Sequence, residues 1–242
     1  MSRLNRFLIA GPHPVGATHQ LDAERSNYLC RVLRLGEGDA VDIFDGTGGL
    51  FQCALSKAHY KRAEITVVQD ISPNLAAPPA LEIALALLKG SAMDRALQQA
   101  TELGVTRIHL VQAKRSNVAL SDTQTAQKLS HWRRIVASSC EQCGQLLLPP
   151  LGDPTNLAKL LSDTADSLEG MVFDPLGEPM PGVLPCQPRL LLIGPEGGWS
   201  DDELTLMEQQ QVQRCRLGST ILRAQTMPAV ALALVQQAQG WS

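Results

Sequence analysis

The chain of 242 residues carries 21 Lys and Arg against 24 Asp and Glu, a net charge of −3, with 44% hydrophobic and 4% aromatic residues. This is the balance of a globular protein with a sizeable core; it excludes a disordered polyelectrolyte, a globally basic nucleic-acid binder and a broad platform of base-stacking rings. No apolar run reaches the roughly 20 residues of a membrane span and no signal-peptide segment opens the chain, so the expectation is a cytoplasmic protein with no membrane partner.

Residues 3–70 read as β-rich. A short helix is expected near residues 21–33. Ala40–Phe44 and Leu50–Leu55 flank the turn Asp45-Gly46-Thr47-Gly48-Gly49, and Ala63–Val68 alternates as a half-buried strand does. A small β-barrel over residues 1–72 is the simplest assembly. Residues 72–80, Ser-Pro-Asn-Leu-Ala-Ala-Pro-Pro-Ala, form a stiff linker, and a second domain is expected over 73–242. The charges balance within residues 1–72, and the net −3 falls on the remainder.

After the linker, strands and helices alternate. Leu81–Leu87 is a nearly continuous apolar strand. Met93, Ala96, Leu97, Ala100 and Leu103 mark one face of a helix over 91–103, capped by Gly104. A strand follows at Arg107–Val111, a long helix at 122–141, and strands at Gly170–Asp174, Leu190–Ile193 and Val212–Leu217. An apolar helix over 226–239 completes the order. The fold class expected is α/β, with a largely parallel sheet covered on both faces. The six cysteines, at 30, 53, 140, 143, 186 and 215, make no disulfide framework. Cys140-Glu-Gln-Cys143 is a lone pair without a second pair at ligand spacing, so free thiols and no metal are expected.

Chemistry concentrates near the C-terminus. In Leu192-Ile193-Gly194-Pro195-Glu196-Gly197-Gly198-Trp199-Ser200, a strand runs into a glycine-rich turn and then a helix. Ser200 and Glu203 are spaced as a capping box, with Asp201 and Asp202 in the first helical turn. Glycines let backbone amides and carbonyls approach a small ligand closely. No GxxxxGK[ST] occurs and no GxGxxG follows a strand, which disfavours a P-loop or a Rossmann dinucleotide site. A second such segment, Leu217-Gly218-Ser219-Thr220-Ile221-Leu222-Arg223, follows one helix and one strand later.

These two segments, in this order and spacing, resemble the SPOUT class of RNA methyltransferases and, within it, the RsmE family, which methylates N3 of a uridine in small-subunit ribosomal RNA. The likeness extends along the chain. Arg31-Val-Leu-Arg34, Gly38-Asp39 and Phe44-Asp-Gly46 resemble that family's N-terminal PUA-like barrel. Lys89, Glu102-Leu-Gly-Val105 and Arg115 resemble the start of its catalytic domain, and Cys140-Glu-Gln-Cys-Gly144 a segment of its long helix.

The resemblance implies a C-terminal trefoil knot, a homodimer, and S-adenosyl-L-methionine bound among the knot's loops. On this chain the cofactor residues would be Phe173, Leu192, Ile193, Gly194, Pro195, Glu196, Gly197, Gly198, Leu217, Gly218, Ile221 and Leu222. Methylation at N3 needs an unpaired base and a departing proton, with negative charge spreading over the uracil ring. Arg223, directly after the second segment, is the catalytic candidate for stabilising that charge. Glu196 is the second candidate, orienting base or cofactor; the alternative is that it binds backbone amides of its own turn. For the RNA or ribosomal-subunit partner, Arg3, Arg6, Arg31 and Arg34 of the barrel and Lys89 and Arg115 at strand ends are the candidate contacts.

Four positions depart from the family pattern: Gln145 and Thr220 stand where arginine is common, Gln225 replaces a usual glutamate and Tyr28 a usual histidine. They leave open another SPOUT activity, such as ribose 2′-O methylation, and a catalytically inert RNA-binding homologue.

Overall fold

The computed structural model describes residues 6–74, 79–118 and 122–240. The chain forms two compact units, one of Met1–Ala76 with Cys140–Leu148, the other of Ala77–Ser139 with Pro149–Ser242.

The first unit holds strands β1 (Arg6–Leu8), β2 (Thr18–Gln20), β3 (Ala40–Phe44), β4 (Leu50–Lys57) and β5 (Glu64–Asp70) in one sheet of order β1-β3-β4-β5-β2. All of its ladders are antiparallel except the one joining β1 to β3. Alternation along the strands points Phe7, Val41, Ile43, Leu55, Ile65 and Val67 into a shared core with Leu21 and Leu29.

The helix expected near 21–33 is two pieces. Asp22 caps α1 (Ala23–Asn27) by accepting the Arg25 N–H at 2.8 Å. The helix then widens into a π-helical turn over Tyr28–Val32, closed by the Leu33 N–H on the Tyr28 carbonyl. The wider turn buries Leu29 while leaving Arg31 and Val32 outside, and Arg34 follows at φ +59°.

Residues 140–148 belong to this unit through an apolar cluster of Phe44, Cys140 and Leu146. Glu141 accepts the Leu8 N–H and pairs with Arg25 at 3.0 Å. Burial pushes the Cys140 thiol up to about 12, so it stays protonated at neutral pH.

The second unit is a five-stranded, wholly parallel sheet of β6 (Leu81–Ala86), β7 (Arg107–Val111), β8 (Glu169–Pro179), β9 (Arg189–Ile193) and β10 (Gln213–Arg216), ordered β10-β8-β9-β6-β7. Its helices are α2 (Ser91–Glu102), α3 (Asp122–Cys143, whose last turn lies in the first unit), α4 (Leu157–Thr164), α5 (Asp201–Gln209) and α6 (Met227–Ala238).

Helix α4 has no counterpart in the sequence expectations. Its N-cap is Asn156, which accepts the Lys159 N–H, and it buries Leu157, Leu160, Leu161 and Thr164. In the central strand β9 every residue is buried. Leu190 and Leu192 join the cluster with α4, Trp199 and Met207 of α5. Helices α2 and α6 pack on each other, and α6 also packs on β9. Buried two-sided strands explain the nearly continuous apolar runs of β6 and β9.

Candidate functional site

Strand β9 delivers its last residue, Ile193, beside Leu85 of β6, and the chain then leaves the sheet. The turn that follows is closed by the Gly198 N–H on the Pro195 carbonyl at 2.9 Å. Gly198 sits at φ +68°, where a β-carbon is penalised.

Helix α5 begins immediately, and its capping box forms as the spacing predicts: the Ser200 hydroxyl accepts the Glu203 N–H, and Glu203 reaches back to the Ser200 N–H. The Glu203 carboxylate does more than cap. It is 5% exposed. Its Oε1 accepts the Lys114 N–H at 2.8 Å, and its Oε2 accepts the Ser200 N–H at 2.8 Å and hydroxyl at 2.9 Å. One buried side chain thus joins the loop after β7 to the start of α5. Glu203→Ala is expected to lower unfolding stability by about 2–4 kcal/mol, because it removes a cap and leaves buried donors unmatched; urea denaturation measures it.

The same loop supplies two cations to the turn. The Lys114 ammonium lies 2.6 Å from Asp202, holding that carboxyl below its usual range. Arg115 donates to the Trp199 carbonyl at 3.0 Å.

The opposite wall comes from β8 and β10. Their parallel ladder slips register: Arg214 pairs with Val172 but Cys215 with Glu178, so residues between them on β8 bulge outward. Asp174 anchors the bulge. Its Oδ1 accepts Arg214 Nη2 at 2.6 Å and Nε at 3.1 Å, and also the Leu176 N–H. Gly177 is needed where the bulge returns, since a β-carbon there would sit 2.8 Å from the Cys215 backbone. Beyond Arg216 the chain runs through 217–226 into α6, whose first turn is tied back by the Thr226 and Met227 N–H groups on the Arg223 carbonyl.

These three pieces enclose a cavity of about 560 Å³, within the range of small-molecule sites. Of the residues expected to hold the cofactor, Phe173, Gly194, Pro195, Glu196, Gly198, Leu217, Gly218, Ile221 and Leu222 line it, and Arg223 does too. Leu192 and Ile193 are buried in β9 below it, and Gly197 backs onto Arg115. The lining also includes Asp174, Pro175, Trp199, Arg216, Ala224 and Met227, and the two departing positions Thr220 and Gln225. The bulge at 173–177 is the feature that brings the β8 residues in, and only the run Phe173-Asp174-Pro175 hinted at it.

Glu196 is exposed, and its carboxylate lies 3.5 Å from the Lys89 N–H, a group outside its own turn. Arg223 is exposed and has no carboxylate partner among the described residues.

Of the remaining expected RNA contacts, Arg3 lies outside the described residues. Arg6 is half-buried and donates to the Gly144 carbonyl at 2.8 Å. Arg31, Arg34 and Lys89 are exposed. Arg115 is bound to the turn at Trp199 and is half exposed.

Comparison with known proteins bears on the whole chain. Residues 76–236 match the family model of the RNA methyltransferase domain, and residues 21–68 that of the RNA methyltransferase PUA domain. The ribosomal RNA small subunit methyltransferase E of Synechocystis sp. is 33% identical over 238 residues, covering 95% of this chain and 76% of that protein. The enzyme of the same name from Bacillus subtilis is 27% identical, covering 90% and 89%. Among solved structures, a ribosomal RNA small subunit methyltransferase E from Neisseria gonorrhoeae bound to S-adenosyl methionine superposes with a TM-score of 0.85 at 27% identity, covering 96% of this chain and 97% of the other.

Proposed function

The chain belongs to the RNA methyltransferase family typified by ribosomal RNA small subunit methyltransferase E, and we propose that it transfers a methyl group from S-adenosyl-L-methionine to N3 of a uridine in small-subunit ribosomal RNA. The observation that carries this reading is the convergence of residues 173–175, 194–199 and 216–227 on one cavity at the C-terminal ends of the central strands.

The cavity suits the cofactor. An added β-carbon at Gly198 or Gly218 would meet no atom within 4 Å, so backbone is presented bare to open space at both walls. The indole N–H of Trp199, buried at the cavity wall, has no hydrogen-bond partner among the described residues. Phe173, Pro195, Leu217 and Leu222 supply apolar lining, and backbone groups of 194–198 and 217–222 would read polar edges of the ligand.

When bound, the cofactor supplies an electrophilic methyl on a sulfonium, which departs as a neutral thioether. The chain's task is to hold the uracil with N3 toward that methyl and to steady the charge left as the N3 proton departs. Arg223, on the cavity wall with no carboxylate partner among the described residues, would donate to a uracil oxygen. Glu196, with its carboxylate free of its own turn, would orient the ligand from the facing wall.

A homodimer is part of this reading. Ile221, more than 80% exposed, and Leu234 line a second cavity, and Leu176 and Val183, exposed to the same degree, directly follow its lining residues Pro175 and Gly182 in the chain. That cavity shares the 216–221 segment with the first and reaches α6 at Leu234, Gln237 and Ala238. Covering it with a second copy would shield both. Leu234→Arg is expected to shift the protein from dimer to monomer in sedimentation, weakening association by about tenfold or more through a buried unpaired charge. The function itself is tested by transfer of labelled methyl to small-subunit rRNA or particles, followed by mass mapping of the modified nucleoside. 3-Methyluridine is the expected product; a ribose 2′-O-methyl would overturn the N3 assignment, and no cofactor binding in calorimetry would favour an inert RNA-binding homologue.

A further inference from the structure

We propose that the β4–β5 hairpin tip, with the Arg31–Arg34 turn that touches it, is a docking station for single-stranded RNA at which a nucleobase stacks on a column built around Tyr60. This rests on the rRNA reading above and adds a contact surface within the first unit.

The tip, residues 58–63, carries His59-Tyr60-Lys61-Arg62. Tyr60 is exposed, yet its ring is held in place. The His59 ring stacks against it at 5.1 Å and 24°, the Arg31 guanidinium lies 4.0 Å from its centroid, and the Lys61 ammonium lies 5.4 Å away. The tip backbone is fixed as well. The Lys61 N–H donates to His59 Nδ1 and the Arg62 N–H to the His59 carbonyl, while the Ala58 N–H uses Glu37.

Two cations over one ring repel each other, and among the described residues neither has a carboxylate within ion-pair distance. Among the described residues, the ion pairs of this unit involve only Arg25 and Lys57 as cations. Arg31, Arg34, Lys61 and Arg62 have none, and all four sit on these two segments. Charge is balanced over residues 1–72 as a whole but segregated here.

The turn also has two irregularities. Arg31 lies in the π-helical turn, and Arg34 holds a positive φ that glycine would adopt at no cost. The result is a rigid aromatic–guanidinium column ringed by unpaired cations. Bases of an unpaired strand stack on such rings and guanidinium planes while the cations meet phosphates. An acidic protein or anionic lipid surface would use the charges but not the ring.

The test is fluorescence anisotropy of the full chain with labelled oligouridine RNA about 12 nucleotides long, enough to span the roughly 4–16 nucleotides of a single-strand site. Heparin and phosphatidylserine vesicles serve as base-free polyanions. Tyr60→Ala is expected to weaken RNA binding about 5- to 30-fold and leave heparin binding unchanged, with Tyr60→Phe close to wild type. Arg31→Gln with Lys61→Gln should weaken both ligands and reduce the salt slope of RNA binding by about 1.4. Wild-type RNA affinity in Tyr60→Ala, an equal loss on heparin, or binding to vesicles in place of RNA would each overturn the station. Calorimetry with S-adenosyl-L-methionine and methyl transfer by the wild type read the catalytic assignment separately. A protein that binds RNA through Tyr60 but transfers no methyl would sink that assignment and leave the station standing.

Discussion

Replacing Arg223 with alanine is expected to cut turnover on ribosomal RNA by about 100-fold, equivalent to about 2.7 kcal/mol of transition-state stabilisation, while cofactor affinity changes by about threefold or less. The asymmetry follows from where the guanidinium sits. It lines the cavity, is exposed, and pairs with no carboxylate among the described residues, so truncation orphans no buried partner. Its backbone carbonyl, which accepts the Thr226 and Met227 N–H groups, survives the substitution, and the entry to α6 is preserved. Arg223→Lys should recover part of the rate, since the charge remains but the planar fork is lost. Single-turnover kinetics at saturating cofactor make the measurement; an unaltered rate would remove Arg223 from the chemistry.

The second large effect is expected at Gly198. A valine there must hold φ +68° against its own β-branch, at a cost of about 1–2 kcal/mol, and its methyls project toward the cavity. Cofactor affinity should fall by about tenfold or more in calorimetry, from the strain and the occupied volume together. Gly198→Ala should fall between valine and wild type. Unchanged affinity in the valine variant would place the turn outside the binding site.

Much of this site could be read from local sequence, because its parts are local devices. Ser200 and Glu203 announce a capping box at fixed spacing, and β6 and β9 announce themselves as buried strands by their nearly continuous apolar runs. What distant parts of the chain decide was not legible. The two adjacent glycines are equivalent on paper. Only the fold turns Gly197 toward Arg115 and Gly198 toward the cavity. Glu203 reads as a cap, but its bond to the Lys114 amide depends on a loop 89 residues away. The bulge in β8 depends on Arg214, 40 residues beyond Asp174, and it carries that strand to Pro179, past the expected end at 174. Helix α4 escaped because it is only eight residues long, about two turns, although Asn156 and the leucines at 157, 160 and 161 were the signal. In the first unit, periodicity cannot distinguish one helix from an α-turn followed by a π-turn, since the difference is a single inserted residue.

The strand order β10-β8-β9-β6-β7 has a consequence for biogenesis. The middle position is taken by β9, which bridges β6 and β8, two strands that never touch each other in a ladder. During synthesis, β6 and β7 emerge early but wait for a neighbour more than 75 residues downstream. A nascent chain halted before Arg189 therefore holds the β6–β7 pair and a lone β8, whose partners β9 and β10 are both still to come. Such a late join makes folding slow and favours a nearly all-or-none acquisition of the binding cleft once residue 227 is free.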